Sequence, residues 1–133
     1  MAIYYPEKLG QLKDFGQLKL NGFTPTDIDF IYDQRGKKWI IGEVKTTGAK
    51  IPNGQLRCIL GLASQLAAAG CEAIVLLAEH NTPTDEPIDV GALSVTQTWY
   101  YNKKYSKQGL FCGLTVKEAC DLFLDGDVNE ESS

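Results

Sequence analysis

The sequence predicts an α/β domain with a mixed central β-sheet flanked by helices, and three stretches predict it. The first is a pair of apolar runs, residues 24–32 and 39–45, separated by the polar break 33–37. It reads as a hairpin, with Gly36 able to take the positive φ of a tight turn. The second is residues 53–69, where Leu56, Ile59, Leu60, Ala63 and Leu66 recur at helical spacing, followed by the unbroken apolar run 73–78. Such a run marks a strand covered on both faces, and a strand, helix, strand crossover makes the two strands parallel. The third is Thr115-Val116-Lys117-Glu118, a capping box with Leu114 and Ala119 placed as its hydrophobic staple.

Taken in chain order, residues 5–12 carry a weak helical pattern with Pro6 in the first turn. In the hairpin, a turn centred on Gly36 sets opposite each other residues whose numbers sum to about 72. Asp29 then faces Glu43 and Asp27 faces Lys45. Asn53 is placed as the N-cap of the following helix and Gly70 as its stop. His80 follows the apolar strand, 82–87 read as loop, and 88–93 take no firm assignment. Residues 95–101 form a further strand and 102–107 a basic loop. The last helix buries Val116, Ala119, Cys120 and Phe123 and ends near Gly126. The expected organisation is one domain over residues 1–128 with an acidic, frayed tail at 129–133.

No apolar run is fit to span a membrane, and the first residues lack a basic region before a hydrophobic segment, so a cytoplasmic protein is expected. Cys58, Cys71, Cys112 and Cys120 show no metal-binding spacing and read as reduced thiols in ordinary core positions. The net charge of −4 argues against strong free-standing nucleic-acid affinity. Its distribution softens that objection: five acids and no base fall in residues 121–133, so thirteen basic residues face twelve acidic ones before them. Help from a larger complex or a homo-oligomer is expected.

Two carboxylates opposed across a hairpin repel unless a cation lies between them. With oxygen ligands alone and no neighbouring His or Cys, Mg²⁺ or Mn²⁺ suits Asp29 and Glu43 better than zinc. Lys45 then lies beside the cation, where its ammonium orients water or stabilises charge on a phosphate. The chemistry is that of phosphodiester hydrolysis.

Asp14-Phe15, Thr24-Pro25-Thr26-Asp27-Ile28-Asp29 and Glu43-Val44-Lys45 resemble the PD-(D/E)XK nuclease superfamily, in particular its small phage-type members. The resemblance covers roughly residues 14–80. It implies a restriction-endonuclease-like fold and a metal-dependent nuclease acting on nucleic acid, most expectedly DNA. Thr26 separates Pro25 from Asp27, so either Asp27 or Asp29 can be the motif acid; the register selects Asp29 and leaves Asp27 as an outer metal ligand. The resemblance further implies that the Val44 carbonyl adds a ligand, that a Gln on the helix after the second strand, here Gln55, serves the site, and that an N-terminal helix adds an acid, Glu7 or alternatively Asp14. His80 is a candidate substrate contact. Lys50, Arg57, Lys103 and Lys104 are candidate nucleic-acid contacts, the last two interleaved with aromatics that can stack bases. The rival expectation is a non-catalytic nucleic-acid-binding or assembly module that keeps the nuclease fold.

Overall fold

The computed structural model describes residues 16–22 and 25–126. The expectations placed on residues 5–12, on Glu7 and Asp14 and on the acidic tail lie outside the described residues. Five strands form one sheet in the order β1 (Phe30–Gln34), β2 (Lys38–Thr46), β3 (Glu72–His80), β4 (Val95–Tyr101), β5 (Ser106–Gln108). β2 and β3 are parallel and the other neighbours antiparallel, so the sheet is mixed. Helix α1 (Asn53–Ala68) packs on one face and helix α2 (Val116–Asp125) on the other.

The hairpin register runs from Phe30 opposite Gly42 to Gln34 opposite Lys38, the pairing expected from Gly36. The Lys37 amide closes the turn on the Gln34 carbonyl at 3.0 Å. Gly36 takes φ 73°, and Arg35 also enters the left-handed region at φ 54°. The first strand starts later than its apolar pattern suggests. Val44 donates its amide to Asp29 Oδ2 at 2.7 Å, so a side chain takes the place of a backbone partner and the ladder ends at Phe30. Asp27 is therefore not held opposite Lys45 by strand pairing, which corrects the extended register.

Gly42 leaves room for the Phe30 ring opposite it. A Cβ there would stand 2.0 Å from the Phe30 ring, and that ring packs on the core beneath α2. Gly42→Ala is expected to lower stability by roughly 1–3 kcal/mol through overpacking, measured as the urea midpoint. An unchanged midpoint would mean that the ring moves aside freely.

α1 begins one residue earlier in the cap sense than expected. Pro52, extended at ψ 141°, is the N-cap, and its carbonyl accepts from the Leu56 amide at 3.0 Å. Asn53 is therefore the first helical residue, and its side chain makes no cap. At the other end Gly70 has φ 103°, with the Cys71 amide on the Leu66 carbonyl and the Gly70 amide on the Ala67 carbonyl. This is a Schellman stop, as the glycine suggested.

β3 buries every residue from Ala73 to Ala78, as a strand covered by a helix on each face must. It runs two residues further than the apolar run, because Glu79 and His80 pair with Lys45 and Thr46. Between Leu77 and Ala78 its pairing with β4 shifts, leaving Thr96 as the extra residue of a bulge, and Thr96 Oγ1 donates to the Leu77 carbonyl at 3.1 Å. β5 replaces part of the basic loop that the sequence predicts over 102–107; its short mixed sequence gives no alternation to read. The capping box at Thr115 and Glu118 is formed in both directions. α2 ends on Lys38, whose Nζ donates to the carbonyls of Phe123 and Gly126 at 2.9 Å each. None of the four thiols is fully buried: Cys58 and Cys112 are exposed, Cys71 and Cys120 half-buried, and all are free. The expectation that they are core material is corrected. At Cys58 the reason is its place on the outward face of α1. Among the described residues no helix is long and apolar enough to cross a membrane.

Candidate functional site

Alternation along β2 puts Trp39, Ile41, Glu43 and Lys45 on the face that α1 covers. α1 covers only part of it. Ile59, Ala63 and their neighbours pack on Ile41, Ala73 and Val75, while the chain between Thr46 and Asn53 carries the helix start past the end of β2. Glu43 and Lys45 stand near the C-terminal end of β2, where ligands of open α/β sheets gather beyond the strand termini.

Glu43 is 2% exposed. Its Oε1 is buried without a hydrogen-bond partner among the described residues, an arrangement that costs more for a carboxylate than for a neutral group. Burial pushes the Glu43 carboxyl from its ordinary 4.5 up to about 7, and the adjoining Asp29 adds to the rise both as a hydrogen-bond partner of the protonated form and as a like charge. Lys45 opposes the rise, with Nζ 3.7 Å from Glu43 Oε2. Asp29 is exposed and anchored by the Val44 amide. The Val44 carbonyl leaves the strand on the same side as that amide, toward Asp29.

Gln55, in the first turn of α1, joins the group. Its Oε1 accepts from Lys45 Nζ at 3.2 Å, and its Nε2 donates to the Asp27 carbonyl at 3.3 Å and to Asp27 Oδ1 at 3.5 Å. Five side chains from three segments thus converge: Asp27 and Asp29, Glu43 and Lys45, and Gln55. Among the described residues no group of three or more His, Cys, Asp or Glu side chains is arranged to enclose a metal ion. The donor set present is two carboxylates with a backbone carbonyl, an open, oxygen-only set. Such a set suits Mg²⁺, which keeps several waters and binds through one or two carboxylates. The partnerless Glu43 Oε1 fits the same ion, since a cation would satisfy it.

The basic candidates divide. Exposed Arg57 lines a groove with Asp27 and Gln55, and Lys50 lines a second cleft with Glu79 and Gln97. Both flank the site. Lys103 and Lys104 do not reach it. They follow Tyr101, which pairs with Ala73, whereas Glu43 is level with Leu77. Four residues along β3 is roughly 13 Å, so the basic loop lies toward the opposite end of the sheet, beside Ala67 near the end of α1. His80 is also elsewhere in its chemistry. Its Nδ1 accepts from the Thr82 amide at 3.2 Å and its carbonyl accepts from the Thr47 amide at 2.8 Å, and alternation turns its ring to the face away from Glu43. It anchors the turn after β3.

Sequence reasoning missed Glu79 and Gln97. Glu79 directly follows the apolar run of β3, and extending that strand in the parallel register would have placed it beside Lys45. Gln97 needed the bulge at Thr96 to be known. Compared with protein-family models, with characterised proteins and with solved structures, the chain shows no significant match.

Proposed function

We propose that the protein is a metal-dependent phosphodiester hydrolase acting on nucleic acid, with DNA as the favoured substrate and a restriction-endonuclease-like arrangement of its sheet. The observation that carries this reading is the buried Glu43 carboxyl with a partnerless oxygen, set beside Asp29 and within 3.7 Å of the Lys45 ammonium. The resemblance of Asp29 and Glu43-Val44-Lys45 to the PD-(D/E)XK motif points the same way.

Asp29, Glu43 and the Val44 carbonyl would hold Mg²⁺ or Mn²⁺. When bound, such an ion neutralises phosphate charge and makes water more acidic. Lys45 holds the attacking water and meets the charge that grows on the phosphate in the transition state. Gln55 fixes Lys45: its carbonyl oxygen accepts a hydrogen bond from the ammonium while its amide is pinned to Asp27. Asp27 therefore supports the site through Gln55. Lys50 and Arg57 supply positive charge on either flank of an otherwise acidic cleft.

The test is a cleavage panel of single-stranded DNA, duplex DNA, branched DNA and RNA. Product is expected with Mg²⁺ or Mn²⁺, and none in EDTA or with Ca²⁺ alone. Folded protein that yields no metal-dependent product on any substrate would replace this reading with that of a non-catalytic nucleic-acid-binding module.

A further inference from the structure

A cleft on the β3 side of the site is left unused by the hydrolytic reading. Leu77, Glu79 and Gln97 form its floor, Thr96 its rim, and Lys50 and Ile51 its far wall, around about 390 Å³. That volume lies within the ~300–1,000 Å³ of small-ligand sites. The register makes it an extension of the site. Glu79 is level with Lys45 and Leu77 with Glu43 on the neighbouring strand, and Gln97 is level with Leu77 one strand further. At ~4.8 Å per strand, Gln97 stands roughly 10 Å from Glu43, about the reach of one nucleotide.

The chemistry of the lining narrows the ligand. Glu79 accepts hydrogen bonds only, Gln97 both accepts and donates, and Thr96 has spent its proton on the Leu77 carbonyl and retains acceptor capacity. Among the described residues the side chains of Glu79, Gln97 and Lys50 have no hydrogen-bond or ion-pair partner. A phosphate on this floor would meet the Glu79 carboxylate, and an apolar ligand would leave Glu79 and Gln97 unpaired. A nucleobase with an exocyclic amino group satisfies both: a carboxylate accepts from the amino group, and a glutamine can pair with the amino group and ring nitrogen of adenine. Thymine offers no amino proton, so the acceptor-only Glu79 carboxylate gains no hydrogen bond from it.

We propose that this cleft is a base-reading subsite, which takes the nucleobase next to the scissile phosphodiester and prefers adenine or cytosine to thymine. Its placement next to a scissile bond rests on the hydrolytic reading. Lys50, across the cleft, would face the sugar-phosphate side of the same nucleotide.

The experiment is a nuclear magnetic resonance titration of the whole chain, in Ca²⁺, with the pentanucleotides dA5, dC5 and dT5, following the side-chain amides of Gln97 and Gln55 separately. The expected result is that dA5 or dC5 shifts the Gln97 amide and binds at least tenfold more tightly than dT5. Glu79→Ala should bring the three affinities within about twofold, and Gln97→Ala, at an exposed position, should do the same. Equal affinities in the unaltered protein, a silent Gln97 amide, or a preference that survives both substitutions would overturn the subsite. The two readings fail differently. Metal-dependent cleavage with no Gln97 response removes the subsite alone, whereas a Glu79-dependent Gln97 response without cleavage removes the hydrolase and leaves a base-reading binding module.

Discussion

Glu43→Gln is expected to stabilise the metal-free protein at pH 8 by about 3 kcal/mol while abolishing its response to divalent cations. The fold holds the Glu43 carboxyl at about 7 against an ordinary 4.5, and a rise of that size corresponds to roughly 3 kcal/mol between its two protonation states. The sign follows from linkage. The folded state favours the protonated acid, so the contribution is fully present below about pH 4.5 and is lost as pH rises through about 7. In EDTA the unaltered protein should therefore lose stability between pH 5 and pH 8. Glutamine imitates the protonated acid and should remove that slope, with its advantage shrinking to about 1 kcal/mol or less at pH 5. Saturating Mn²⁺, at a hundredfold excess over Kd, should stabilise the unaltered protein by roughly 2.7 kcal/mol. It should do little for Glu43→Gln or Asp29→Asn. Asp27→Asn should keep most of the response, because Asp27 meets Gln55. Urea midpoints with and without Mn²⁺ at the two pH values decide it: a larger loss of the Mn²⁺ response in Asp27→Asn than in Asp29→Asn would make Asp27 the ligand.

Lys45→Ala separates holding the cation from using it. The ammonium sits 3.7 Å from Glu43 and repels any cation held there, so its removal should leave Mn²⁺ affinity unchanged or slightly raised. Cleavage should fall by about 100-fold or more, the usual loss when a group facing transition-state charge is removed. Gln55→Ala should reduce kcat more than it changes KM, since it frees Lys45 without touching the ligands. Calorimetric titration with Mn²⁺ beside single-turnover rates supplies both readouts. If Lys45→Ala and Glu43→Ala lose metal binding equally, Lys45 supports the ligand set itself and has no separate role in the chemistry.

Much of the architecture is local in origin and was therefore legible. The capping box at Thr115, the glycine stop after α1, the turn at Gly36 and the buried run of β3 each depend on a few neighbouring residues whose stereochemistry leaves one good conformation. The register from Gly36 also carried Asp29 to the level of Glu43, because period-two alternation converts a turn position into a cross-strand pair. What alternation could not supply was the end of the ladder. That depended on the Asp29 carboxylate capturing the Val44 amide, a competition between a side chain and the backbone that no pattern records.

The chemistry available is written in residue order: acid, acid and lysine at hairpin spacing, on strands that a crossover helix must cover. How that chemistry is poised depends on the folded packing. Burying Glu43 raises its pKa, and so weakens it as an acid, through desolvation, which depends on everything packed around it. The start of α1 brings Gln55 between Lys45 and Asp27. The parallel register and the bulge at Thr96 set Glu79 and Gln97 beside the site, and the same sheet carries Lys103 and Lys104 away from it. These are consequences of long-range packing, where residues far apart in the chain meet because their shared faces exclude water, and the sum of those contacts is fixed by no one segment.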